Sequence, residues 1–353
     1  MFKILEAYGL PPRILQAIKI IYENNTAAVI TPSGITEYFL ITSGIFQGDT
    51  LAPLLFIIVI DYILRQAYKT STEVGITIKP RSGTRIPAKN IKDLSYADDI
   101  TLLAHALTQA ENLLHNLEKA ALQVGLRVNA DKTKVMSINN TGPQQARILN
   151  GTPLKTTSKF KYLGSQLPDS QTDFKYRKGQ AWAAMGKLSK IWKSTIPRKL
   201  KLNFFHACVE SILLYGSETW TITKDLEQRI DGCYTRLLRR AQNIRWQNHP
   251  TNALVYQGLP KLSIKIKKRR LNFAGHCARA TDQPVSELLS WFPQTGTTNR
   301  GRPATTFTKT LKEDTGLENM QEIINVMKDK AAWKELVSNV CDIPILNPPT
   351  GDR

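Results

Sequence analysis

Apolar positions change their period along this chain. Short alternating runs and helical stripes interleave in the first half, and helical stripes take over in the second. Phe2–Ile21 carries two stripes, Leu5, Tyr8 and Leu10, then Ile14, Ile18 and Ile21, parted by Pro11-Pro12. This predicts two amphipathic helices. Ala27–Thr31 and Glu37–Ile41 are short β-friendly runs around Pro32-Ser33-Gly34 and predict a hairpin. A glycine-bearing turn then opens a helix running to Ala67. It has Thr50 as N-cap and Pro53 in its first turn, and it is apolar on most sides. Asp61 interrupts that helix and predicts a local hydrogen bond or salt bridge. Gly75–Ile86 is strand-like, and residues 91–104 are two apolar runs flanking Asp98-Asp99, a hairpin with two carboxylates at its tip. Leu107, Ala110, Leu114, Leu117, Ala121 and Val124 mark a helix with one buried face, stopped by Gly125. Leu126–Ile138 reads as a strand, and Lys159–Gly164 as a strand ending in a glycine turn.

From Asp173 onward the elements are helical. Phe174–Trp192 places Trp182, Met185, Leu188 and Trp192 on one face. A second helix runs through Phe204, Phe205, Cys208 and Ile212 to Leu214-Tyr215-Gly216. A third, Asp225–Trp246, holds Arg236, Arg239, Arg240 and Arg245. Lys261–Arg279 follows as the most basic run, and Leu311–Val340 as a final helical pair. The Pro- and Gly-containing last ten residues are expected to fray. The fold class is therefore α+β, a mixed first half followed by an all-α second half.

Composition sharpens this picture. At 353 residues with 42% hydrophobic side chains, the chain is long enough for two domains with real cores. Its net charge of +19 calls for a polyanionic partner, nucleic acid or an anionic membrane surface. Residues 1–150 carry 15 basic against 12 acidic side chains, and the remainder carries 33 against 17, so the electrostatic footprint lies away from Asp98-Asp99. Cys208, Cys233, Cys277 and Cys341 have no zinc-site spacing and read as reduced, mostly buried thiols. The longest apolar run, Leu54–Ile60, is too short to span a bilayer, and no secretory signal opens the chain. The expected location is nuclear or cytoplasmic, with no membrane partner. A membrane-surface role lacks a lipidation motif and a basic helix with a strong apolar face.

Adjacent carboxylates repel, and a hard divalent cation neutralises them best. Two such ions about 4 Å apart are the usual machinery of in-line phosphoryl transfer. An isolated Asp-Asp more often merely solvates a turn. Here Tyr96-Ala97-Asp98-Asp99, flanked by apolar residues, resembles the Tyr-x-Asp-Asp box of reverse transcriptases of LINE-type (non-LTR) retrotransposons. Four further blocks resemble that family in order. Lys3–Pro12 is the first. Ser43-Gly44-Ile45-Phe46-Gln47-Gly48 with Pro53 is the second. Asn129 with Lys132-Thr133 is the third, and Tyr162-Leu163-Gly164 the fourth. The string Leu213–Trp220 is also similar to non-LTR sequences.

The resemblance implies an incomplete polymerase palm over residues 1–170, an antiparallel sheet with packed helices. It further implies a helical thumb-like domain over 171–250 and a basic helical region over 251–353. It implies RNA-directed DNA polymerase chemistry with Mg²⁺ (or Mn²⁺) on Asp98 and Asp99, and RNA template, DNA primer and deoxynucleoside triphosphates as partners. Gln47, Gly48 and Tyr96 would shape the nucleotide and template pocket. Lys132 would offset charge on the departing pyrophosphate, although spacing alone equally allows a solvent-facing strand lysine. Tyr162, Leu163 and Gly164 would form the primer grip. Arg236, Arg239 and Arg240, with Lys267, Lys268, Arg269 and Arg270, would meet phosphates. The arginine stripe could instead be a solvated helix face, and the 265–270 run a nuclear localisation signal or a plain exposed helix. Arg300-Gly301-Arg302-Pro303 resembles a minor-groove AT-hook core, against an ordinary basic linker. On a pleated strand neighbouring residues point to opposite faces, so at most one of Asp98 and Asp99 aims well at a metal. In the family, the first catalytic Asp strand and the basic fingers precede a segment like Lys3–Pro12. The expectation is thus a chain inactive in isolation. The alternative is a catalytically dead remnant that binds nucleic acid without sequence preference.

Overall fold

Pro11-Pro12 does break the first helical stretch. Phe2–Ala7 forms α1 and Pro12–Tyr22 forms α2, with Pro12 at the first turn where its missing N–H costs nothing. In this computed structural model the described residues are 1–42, 44–46, 48–81, 83, 85, 87–138, 145–245, 247, 249–291 and 306–341. They fall into two units, Met1–Thr157 and Ser158–Arg353.

In the first unit the expected 27–41 hairpin exists as two nested ladders. Thr26–Ala27 (β1) pairs with Phe39–Leu40 (β4), and Ile30–Thr31 (β2) pairs with Gly34–Ile35 (β3). The long helix, Ala52–Lys69 (α3), starts two residues after Thr50. Asp49, not Thr50, takes the free amide of Leu51 at 3.2 Å. Asp61 makes the local bonds its position demands, accepting from Tyr8 Oη at 2.6 Å and pairing with Arg65 at 2.7 Å. The helix is less buried than its sequence suggests. Leu55, Ile60, Ile63 and Ala67 lie inside, while Leu54 and Ile57 are exposed. Ile76–Lys79 (β5) pairs with Lys89–Ile91 (β6), and Asp93–Tyr96 (β7) pairs with Asp99–Leu102 (β8). Leu107–Leu122 (α4) packs on α3 through Leu117, Ala120 and Ala121, with Ile100 and Leu102 of β8 against the same cluster.

The expected strand over 126–138 is mostly absent. Asn129 Oδ1 accepts the Lys132 amide at 3.1 Å, and the Asn129 carbonyl accepts Thr133 Oγ1 at 2.8 Å. These local bonds fold the segment into a turn, as Asx residues do. Only Lys134–Val135 (β9) survives, paired in parallel with Lys155–Thr156 (β10). The first unit is thus mixed α+β, with its strands in separate two-stranded ladders.

The second unit opens with a hairpin, Phe160–Tyr162 (β11) and Ser165–Leu167 (β12). Its helices follow. Asp169 caps Ser170–Lys187 (α5) by accepting Thr172 N at 2.8 Å, and a break at Leu188 separates Ser189–Lys193 (α6). Arg198–Phe205 (α7) runs through a π-helical turn, His206–Glu210, into Ser211–Leu214 (α8). Thr223 caps Lys224–Ala241 (α9), which ends five residues before Trp246, where Asn243 turns into the left-handed region at φ 56°. These helices bury one apolar cluster that includes Trp192, Phe205, Tyr234 and Leu237. After Asn252–Tyr256 (α10), Leu262–Arg279 (α11) gives Leu262 and Ile266 to that cluster and Leu271, Ala274 and Cys277 to a second. Val285–Leu288 (α12), Phe307–Thr315 (α13), Met320–Lys328 (α14) and Lys330–Cys341 (α15) complete the second cluster. No helix among the described residues is long and apolar enough to cross a membrane.

Candidate active site and nucleic-acid surface

The β7–β8 register places Tyr96 opposite Asp99, which leaves Ala97 and Asp98 as a two-residue turn. Ala97 sits at φ 54°, a region unfavourable for a residue with a Cβ. Asp98, Asp99 and Tyr96 are all exposed. Among the described residues no ion pair or hydrogen bond occupies either carboxylate, and Lys132 is likewise exposed and unpaired. The base of the hairpin is fixed instead. Tyr68 of α3 donates to Asp93 at 2.6 Å, Ser95 donates to the other Asp93 oxygen, and Lys92 Nζ lies 5.2 Å from the Tyr68 ring. Burial, then the Asp93 hydrogen bond, push the Tyr68 hydroxyl far above its ordinary range, so it stays a donor. The Tyr68–Asp93 anchor, which sequence reasoning missed, joins residues 25 apart by two common side chains and leaves no short-range signal.

A mounted turn with two carboxylates that have no partner among the described residues offers hard oxygen donors. Mg²⁺ is usually held by one or two carboxylates plus waters and substrate phosphates, so the donor set fits that ion in kind. Among the described residues no group of three or more His, Cys, Asp or Glu gathers into a metal cluster. Gly48 lies in a turn at φ 90°, in a loop tethered by Phe46 stacked on Tyr22 (centroids 4.7 Å apart) and by Asp49. Gln47 lies outside the described residues, as does Arg300-Gly301-Arg302-Pro303. Lys132 sits in the Asn129 turn and not on a strand.

The Tyr162–Gly164 block forms the β11–β12 turn. Leu163 and Gly164 occupy it at φ 44° and 86°, the primed geometry that matches strand twist. The turn is clamped from the helices. Tyr215 Oη donates to the Leu163 carbonyl at 2.8 Å, and Arg177 donates to the Gly164 carbonyl while its guanidinium lies 4.4 Å from the Tyr215 ring. Buried Asp173 accepts the Gln166 amide and the Trp220 indole N–H, each at 2.9 Å. A Cβ on Gly164 would press against Tyr215 at 3.0 Å, and one on Gly216, at φ 72°, would overlap Ser165 Oγ. The string Tyr215–Trp220 is therefore the lock on this hairpin. Leu163 and Tyr162 are left half-buried to exposed at its rim.

Basic residues separate into two kinds. Arg236 and Arg240 are exposed on α9, and Arg239 is half-buried, bonded to the Pro250 carbonyl (2.8 Å) and Asn252 Oδ1 (3.0 Å). Lys267 is half-buried, and Lys268 and Arg269 are exposed, with Arg269 facing Glu218 at 3.3 Å. Arg270 corrects the expectation of an exposed basic run. It is 3% exposed, pairs with Asp314 at 2.6 Å and donates to the Trp220 carbonyl at 3.0 Å. A guanidinium so enclosed holds helices together and cannot reach a phosphate. Lys265 is similarly committed to Glu210 at 2.7 Å.

Residues 1–167 match the family model described as reverse transcriptase (RNA-dependent DNA polymerase). The chain is similar to a transposon-derived protein of Caenorhabditis elegans, 29% identical over 273 residues. The match covers 72% of this chain and 97% of the relative. It is also similar to the Pol polyprotein of a type-2 retrotransposable element of Drosophila melanogaster, 27% identical over 46% of this chain. The Pol polyprotein of a type-1 retrotransposable element of Bradysia coprophila is 29% identical over 44% of it. The matches span only 15% and 18% of those two polyproteins.

Proposed function

Residues 1–167 belong to the reverse transcriptase family, with non-LTR retrotransposon relatives; on that premise we propose that Asp98 and Asp99 are the metal-binding carboxylates of an RNA-directed DNA polymerase. The observation that carries this is the turn itself. Two carboxylates with no partner among the described residues stand at the tip of a hairpin whose base is fixed by Tyr68–Asp93. Enzymes of this family depend on a divalent metal, and we assign Mg²⁺, with Mn²⁺ as substitute, to Asp98 and Asp99. When bound, that ion supplies charge stabilisation at the reacting phosphate.

The reaction joins a primer 3′ hydroxyl oxygen to the α-phosphorus of a deoxynucleoside triphosphate. The bond to the β-phosphate oxygen breaks, pyrophosphate leaves, and the hydroxyl proton passes to solvent. Gln47, Gly48 and Tyr96 line the nucleotide and template side. Lys132, unpaired among the described residues, meets the negative charge building on pyrophosphate. Tyr162, Leu163 and Gly164 seat the primer end, with Tyr215 and Arg177 as positioning residues. Residues 171–250 act as the thumb-like part, where Arg236, Arg239 and Arg240 contact phosphates. Lys267, Lys268 and Arg269 in the 251–353 region add to this contact, and Arg270 serves as a structural brace.

A second reading, nucleic-acid binding without polymerisation, is favoured by one observation. The basic excess lies in the half of the chain that lacks the carboxylate turn. Primer extension on an RNA template with Mg²⁺ or Mn²⁺ tests the two. Nucleotide incorporation that Asp98→Ala abolishes supports the polymerase. Salt-dependent binding that survives Asp98→Ala, without incorporation by the wild-type chain, supports the second reading.

A further inference from the structure

A concave surface in the second unit lies where α9 ends. A cleft of about 600 Å³ is lined there by Trp182 of α5, by Arg236, Arg239 and Arg240 of α9, and by Ile244 and His249 beyond it. That volume falls in the usual range of small-ligand sites, about 300–1,000 Å³. Three features of its wall are chemically specific. Among the described residues no carboxylate lines it. Among the described residues none of the three arginines takes part in an ion pair. The Trp182 ring stands 5.7 Å from the Arg240 guanidinium.

A simpler reason for arginines at this place is the helix dipole. Arg239 and Arg240 stand in the last turn of α9, where cations are favoured. The dipole amounts to roughly half a negative charge, against three guanidinium groups spaced i, i+3 and i+4, a spacing at which like charges repel. It therefore accounts for a fraction of the cluster. Arg239 is held rigid by Pro250 and Asn252, so its remaining donors are pre-oriented. Trp182 is half-buried, packed against the apolar cluster of the second unit, and offers the cleft an aromatic surface.

An aromatic surface beside guanidiniums that no carboxylate neutralises among the described residues, in a concave site, suits a phosphate joined to an unstacked base. In a duplex the bases are stacked away inside the helix, and a phosphate on Arg236 or Arg240 could not bring its base to Trp182. In a single strand each base is free to leave its neighbours. Resting on the reading of this chain as a nucleic-acid-binding protein, we propose that this cleft is a docking site for single-stranded polynucleotide. Arg236 and Arg240 take a phosphate and Trp182 stacks the adjoining base.

Fluorescence anisotropy with the full chain tests this, using a labelled 12-nucleotide mixed-sequence single strand and the corresponding blunt duplex as probes. Trp182→Leu is expected to weaken single-strand binding about 5- to 150-fold, the span of one base–aromatic stack, and to change duplex binding less than about twofold. Arg240→Gln, at an exposed side chain whose replacement leaves the core intact, is expected to weaken single-strand binding and flatten its salt dependence by about one phosphate contact. Should Trp182→Leu fail to fold, by its thermal melt, Arg240→Gln decides the matter together with Trp182→Phe. The latter keeps an aromatic face and is expected to retain binding within about threefold. Equal loss for single strand and duplex, or no loss in Trp182→Leu and Arg240→Gln, overturns the cleft while leaving the nucleic-acid reading intact. Absence of binding to either probe by the wild-type chain overturns that reading and the cleft with it.

Discussion

Gly216 is the most exacting position in the lock on the β11–β12 hairpin. Its φ of 72° puts any side chain in the left-handed region, and an added Cβ would overlap Ser165 Oγ while lying 3.7 Å from Ser165 Cβ, an ordinary contact. In Gly216→Ala two costs add. The left-handed conformation costs roughly 1–2 kcal/mol for a residue with a Cβ. Driving Ser165 Oγ from its place costs about 0.5–1.5 kcal/mol of rotamer strain. The expected total is about 1.5–3.5 kcal/mol. Ser165→Ala removes the overlapping oxygen and keeps the Cβ, so the double variant should recover the second cost and leave only the first. Urea unfolding followed by tryptophan fluorescence is the assay. All six tryptophans, Trp182, Trp192, Trp220, Trp246, Trp291 and Trp333, lie in the second unit, so the signal belongs to the unit that carries the lock. A loss below about 0.5 kcal/mol in Gly216→Ala, within the scatter of neutral surface changes, would refute the reasoning. So would a double variant no more stable than Gly216→Ala alone.

Further outcomes follow from the charged groups of the second unit. Burial pushes the Glu210 carboxyl up, but hydrogen bonds from His206, Lys265 and Tyr234 outweigh it and bring it down to about 2, against an ordinary 4.5. A carboxylate depressed in the folded state stabilises above its unfolded value and loses that contribution as the pH falls. Stability should therefore be flat from pH 7 to 5 and decline by about 3 kcal/mol toward pH 2 from this group. Glu210→Gln should be less stable at pH 7 and show a shallower acid decline in the same fluorescence titration. Arg270→Gln should cost about 3–5 kcal/mol by leaving Asp314 buried without its partner. Lys268→Gln, at an exposed position, should leave stability within about 0.5 kcal/mol and reduce the salt slope of nucleic-acid binding.

Legibility from the sequence follows the range of the forces involved. The Asp98-Asp99 hairpin could be read because a strand, a two-residue turn and a returning strand are local patterns. The helices could be read because their apolar stripes repeat every three to four residues. The strand expected over 126–138 failed for an equally local reason that alternation does not reveal, the Asn129 side chain bonding its own turn. The basic run of α11 misled because charge in a sequence is silent about partners. Glu210 and Asp314 lie 55 and 44 residues from Lys265 and Arg270, and they turn two cations inward. The string ending in Trp220 resembles non-LTR sequences without showing in itself what it does. Its purpose becomes visible only when Tyr215 and Trp220 meet Leu163 and Asp173, 52 and 47 residues away.

Iron(II)-directed hydroxyl-radical cleavage tests the central claim, that the turn at Asp98-Asp99 holds a divalent metal. Fe²⁺ bound there in place of Mg²⁺ cuts the backbone within reach of the ion, whether or not the chain polymerises. The account predicts cleavage at residues 96–100, suppressed by excess Mg²⁺ and lost in the doubly substituted Asp98→Asn, Asp99→Asn chain. Cleavage elsewhere alone, or at the turn but unchanged by those substitutions, would contradict it.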